Sequence, residues 1–99
     1  MNPQTKPQMS IILTGEKYKM LKVIGTKGME MPSHYTTMEA VIIVQQGEAL
    51  LKLTKREIHL KTNDSAIVPA NEHHILKIKE DFQAIVIMEI ESQIKFVNN

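Results

Sequence analysis

Four histidines carry most of the chemistry open to this 99-residue chain, which has no cysteine. Without thiols there are no disulfides, thiolate nucleophiles or Cys-type zinc sites. His34 lies in GMEMPSHYTTMEA (28–40), His59 in REIHLK, and His73 and His74 close the run PANEHH. A neutral imidazole can ligate a metal, act as a general base, or orient a bound molecule through a single hydrogen bond. Ser10, Ser33, Ser65 and Ser92 sit in no recognisable nucleophile elbow, and there is no glycine-rich phosphate loop. Chemistry therefore centres on the histidines, and around His34 the nearby polar side chains are Ser33, Tyr35, Thr36, Thr37 and Glu39.

Strand periodicity decides which of these can meet. Counting from His34, Thr36, Met38, Ala40, Ile42 and Val44 share one face, and Tyr35, Thr37, Glu39, Val41 and Ile43 the other. Glu39 thus points away from His34 unless a β-bulge near Thr37 shifts the register. Around 82–90 the faces are Phe82, Ala84, Val86, Met88, Ile90 and Gln83, Ile85, Ile87, Glu89. Both strands have two apolar faces in their middle portions, the signature of a sheet covered on both sides. The outer cover could come from residues 10–25 or from a second copy of the chain in a C2 homodimer.

Turn signals recur at TGE (14–16), GTKG (25–28), QGE (46–48), KR (55–56), TND (62–64), PANE (69–72) and ED (80–81). The intervening segments have strand length and are rich in Ile, Val, Leu and Thr, so the spacing predicts an all-β sandwich or barrel. No helical stripe is long enough to compete. Residues 1–9 read as a flexible tail and residues 10–99 as one domain, large enough to bury roughly 60–70% of its unfolded surface.

Charge nearly balances, with formal net charge +1, and eleven lysines against one arginine give no basic stripe for phosphates. Nucleic acid is therefore not an expected partner. The opening MNPQTKPQMS lacks a signal-peptide apolar core, and the longest apolar runs, AVIIV and AIVIM, are far shorter than the roughly 20 residues that span a bilayer. A cytoplasmic protein, without a membrane partner, is the expectation.

GMEMPSHYTTMEAVIIVQQG (28–47) and NDSAIVPANEHH (63–74) together resemble the paired motifs of the cupin superfamily. In words, those motifs are Gly, five residues, His-x-His, three or four residues, Glu, six residues, Gly; then Gly, five residues, Pro-x-Gly, two residues, His. Gly28, His34 and Gly47 match the first motif, and Pro69 and His74 the second, with Asn63 and Asn71 in the glycine positions. Asparagine is well suited to φ > 0, so the same turns can form. Asp64 can bond nearby backbone N–H groups and pin its turn. The resemblance implies a small single-domain jelly-roll β-barrel of the cupin type.

It also implies a metal held by three His and one Glu, of which this chain keeps only His34 and His74. Thr36 stands at the second His position and Ala40 at the Glu position. Zn, Ni, Fe or Mn at this incomplete pair is therefore a weak site. Lining the barrel mouth with His34, Thr36 and His74, the resemblance places Met31, Ala40, Ile42, Leu76, Ile78 and Phe82 in an apolar wall. Met38 is assigned to the wall with Met31, and Met20 and Met88 to the core. His59 and His73 are assigned to the surface.

Four readings of function follow. The first is a non-catalytic barrel that binds a small, mostly apolar molecule. The second is a metal-dependent oxygenase or isomerase using the reduced two-His set. Metal-free acid–base catalysis by a neutral histidine is the third, and a regulatory or structural partner protein the fourth.

Overall fold

The computed structural model describes residues 6–97. Eight strands follow in order: β1 (Gln8–Thr14), β2 (Tyr18–Gly25), β3 (Glu30–Thr36), β4 (Ala40–Lys52), β5 (Glu57–Lys61), β6 (Ser65–Val68), β7 (His74–Glu89) and β8 (Ile94–Phe96). All pairings are antiparallel. No described helix is long and apolar enough to cross a membrane.

Two long strands organise the molecule. The second half of β7, Phe82–Met88, lies between β2 and the Ala40–Val44 half of β4, which pairs onward with β6. Its first half, from His74 to Ile78, lies between β3 and the Ala49–Lys52 half of β4. Beyond these, β1 extends from β2, β8 from β3, and β5 from the second half of β4. The result is two five-stranded layers, β1-β2-β7-β4-β6 and β8-β3-β7-β4-β5, joined where β4 and β7 bend together. Inward side chains from both layers, among them Val44, Leu51, Leu60 and Ala84, form one core. The all-β jelly-roll barrel expected from the sequence is what forms.

QGE and ED do not reverse the chain as their composition suggests. Both lie inside continuous strands, at the corner where β4 and β7 pass from one layer to the other. Pairing slips between Val44 and Gln46, Gln46 and Glu48, and Glu48 and Ala49, as expected where strands turn a corner through bulges. Gly47 sits in this corner at φ +87°. Conversely, the stretch read as one strand from His34 to Val44 is interrupted at 37–39, between β3 and β4.

The two asparagine turns form as expected. Asn63 and Asn71 take φ of +75° and +63°. The Asp64 carboxylate accepts from the Lys61 N–H at 2.8 Å, fastening the first turn. In the second, the Asn71 N–H donates to the Thr36 carbonyl at 2.7 Å, tying the PANE loop to the end of β3. Part of the stretch read as a tail is structured. β1 begins at Gln8, Met9 packs on the core and Pro7 is buried, while residues 1–5 fall outside the described residues.

Residues 10–25 extend a layer sideways, through β2 pairing with β7, instead of covering it. One register row therefore crosses the outer face of all five strands: Leu13, Met20, Ile87, Val41 and Ile67. Its end members, Leu13 and Ile67, are 60% and 47% exposed. A slip between Ile11 and Leu13 gives β1 an extra residue, which aligns Leu13 with this row.

Candidate functional site

His34 on β3 and His74 on β7 are direct cross-strand partners. Their rings meet edge-on with centroids 4.2 Å apart, and both side chains are buried. The His34 Nδ1 lies 2.7 Å from the Pro32 carbonyl oxygen, and the His74 Nδ1 lies 3.0 Å from that of Glu72. A carbonyl can only accept, so each Nδ1 must carry its proton. In the neutral ring each Nε2 is then an unprotonated acceptor. Burial pushes the His34 pKa down to about 4, against an opposing pull from the Pro32 carbonyl. Burial likewise lowers the His74 pKa, opposed by its bond to Glu72. Both rings are neutral at pH 7.

Neither Nε2 has a hydrogen-bond partner among the described residues. Yet none of their buried side-chain nitrogen or oxygen atoms lacks one, so neither Nε2 is sealed off. Both histidines face a narrow cavity of about 50 Å³, room for roughly three or four waters. Thr36 lines it too, with its hydroxyl donating to the Met38 carbonyl at 2.8 Å. The bond from Asn71 to Thr36 couples the loop before His74 to this end of β3. The remaining lining is apolar and includes Met31, Ala40, Ile42 and Leu76.

Met31, Ala40, Ile42 and Leu76 of the expected wall line the cavity, and three expected members do not. Phe82 and Ile78 are buried in the core but do not line it. They lie nearer the β4–β7 corner, whereas the cavity lies toward the Ala40, His74 and Met88 strand ends. Met38 falls in the break between β3 and β4 and is not part of the lining. Met88 lines the cavity rather than merely filling core.

Met9, Val68 and Ile94 also contribute to the lining, although nothing in the sequence reading singled them out. Met9 was hidden by its place in the presumed tail. Pairing opposite the inward-facing Val23 is what brings it in. Glu39 is exposed and lies in the break between β3 and β4, outside either strand. His73 is exposed and stacks on Tyr35 at 5.0 Å, and His59 is exposed and paired with Glu48.

This donor set does not fit a resident metal centre. Catalytic zinc ordinarily keeps three protein ligands, and non-haem iron two His plus a carboxylate. Here two Nε2 atoms face the cavity beside a neutral hydroxyl, and Ala40 brings no oxygen. Among the described residues no group of three or more His, Asp or Glu side chains could hold an ion.

Solved structures with the same architecture are numerous. A cupin superfamily protein from Desulfitobacterium hafniense superposes with a TM-score of 0.78 at 18% identity, covering 92% of this chain and 84% of its own. A conserved protein with a double-stranded β-helix domain from Klebsiella pneumoniae gives 0.80 at 19%, covering 98% and 90%. A DMSP lyase from Ruegeria pomeroyi gives 0.84 at 16%, covering 93% of this chain but 52% of the lyase. At such identities the likeness concerns the fold alone. No curated protein matches significantly. The family model for the cupin domain matches residues 20–90, both histidine motifs included, and the chain belongs to the cupin family.

Proposed function

We propose that this protein is a small-molecule-binding cupin that works without a resident metal, with His34, Thr36 and His74 as its orienting polar groups. The observation that carries this reading is the pair of neutral imidazoles. Backbone carbonyls fix their tautomers, and their free nitrogens face an apolar cavity with no carboxylate in its lining. Such a site has few polar contacts on an apolar wall, the usual composition of a small-molecule pocket. Acid–base catalysis is less well served. A base whose pKa lies near 4 has little driving force to abstract a proton at neutral pH.

The test is the metal content of untagged protein purified without a nickel column, beside a His74→Ala variant. We expect far less than one equivalent of iron, manganese, nickel or zinc in both. Stoichiometric metal that disappears in the variant would instead establish the reduced-ligand metalloenzyme.

We also propose that the outer face of the β1-β2-β7-β4-β6 layer joins a second copy about a two-fold axis. An apolar row crossing five strands, with no strand packed over it among the described residues, supports this. The expected mass by light scattering is twice that of the chain, falling to a monomer in a Met20→Lys, Ile67→Lys double variant. A wild-type monomer at high micromolar concentration would refute it.

A further inference from the structure

The polar lining of the cavity has an unusual property: its side chains have already spent every proton they could donate. His34 Nδ1–H is given to Pro32, His74 Nδ1–H to Glu72, and the Thr36 hydroxyl to Met38. What remains toward the cavity are lone pairs, on two Nε2 atoms and on the Thr36 oxygen. Resting on the small-molecule-binding reading above, we infer that the cavity selects a compact neutral ligand ending in an O–H or N–H donor, of the alcohol or amide class, and rejects carboxylates and pure acceptors.

Three physical arguments converge. An anion or a ketone would place its oxygen against nitrogen lone pairs, losing its water hydrogen bonds and gaining none, and an unpaired buried polar group is costly. A cation could be accepted by the lone pairs but would be buried with no carboxylate among the lining residues to compensate it. Size then limits the enclosed part of the ligand, since about 50 Å³ accommodates only a few heavy atoms. Neutral rings at pH 7 reinforce the same preference, because a neutral imidazole in this tautomer has no proton to offer an anion.

Four probes of nearly equal shape separate these chemistries: acetamide and propan-2-ol as donors, acetone as an acceptor, and acetate as an anion. Each is titrated at pH 7.5 into the metal-free full chain while the imidazole 15N and 13C shifts of His34 and His74 are followed by NMR. Acetamide and propan-2-ol are expected to shift both Nε2 resonances saturably, with acetone and acetate at least 10-fold weaker. Acetone or acetate saturating the same resonances as readily as the donors overturns the donor preference while leaving a binding cavity in place. If no probe perturbs the pair, the small-molecule-binding reading itself falls.

Discussion

Gly47→Ala is expected to destabilise the barrel by more than about 3 kcal/mol, lowering Tm by well over 10 °C in a domain of this size. Two costs combine. Gly47 holds φ at +87°, a left-handed conformation that costs a residue with a Cβ on the order of 1–2 kcal/mol. A Cβ there would also lie 1.9 Å from the Asp81 carbonyl oxygen and 2.9 Å from the Phe82 Cα. Those are backbone atoms of β7, so relief requires separating the two strands that carry both layers.

Gly28→Ala provides the matched comparison. Its φ is +94°, but nothing lies within 4 Å of the added Cβ, so only the conformational cost of about 1–2 kcal/mol applies. Thermal and urea unfolding of the two variants would decide the matter. Equal losses would mean that the close approach of β4 and β7 at the corner contributes nothing and that conformation alone demands glycine.

That corner also shows where sequence reasoning reached its limit. Glycine beside polar residues in QGE and paired acids in ED carry the composition of hairpin turns, and composition cannot distinguish a reversal from a bend inside a long strand. The difference lies in pairing on both sides of β4 and β7, a non-local property. Period-2 alternation fared better wherever the strand was unbroken. Within β4 it put Ala40 and Ile42 on one face, the face that lines the cavity.

Asn63 and Asn71 were legible for a local reason, because positive φ is a property of one residue and its turn. Their turns then fix the frame of the second histidine motif. Phe82 was placed in the cavity wall by the resemblance, and it does share a face with Val86 and Met88, which line the cavity. Face alone does not say how far along the barrel axis a residue sits, and Phe82 lies by the corner. Met9 illustrates the converse: two prolines and a polar start disguised a strand whose only strong signal is its pairing with β2. The histidine tautomers were not legible at all. They depend on the Pro32 and Glu72 carbonyls, each two residues upstream, turning back toward the ring.

The same buried pair makes stability fall with acid well before the carboxylates titrate. His34 has a pKa near 6.5 in the unfolded chain and about 4 in the fold. Above pH 6.5 it is neutral in both states and contributes no pH dependence. As pH drops below 6.5 the unfolded chain binds a proton that the folded chain refuses, so unfolding is favoured progressively until the folded ring also protonates near pH 4. Between pH 7.5 and 5 this linkage removes about 2 kcal/mol, and the lowered pKa of His74 adds a loss of the same sign. Native carboxylates mostly titrate below this window, which isolates the histidine contribution. Urea unfolding at pH 7.5 and 5.0 should show the loss in the wild type and a clearly smaller one in His34→Gln, whose side chain does not titrate. An unchanged pH dependence in the variant would mean that His34 is protonated as easily in the fold as outside it. The ring would then carry a proton toward the cavity in mild acid, and the acceptor-only lining on which the ligand preference depends would hold only near neutral pH and above.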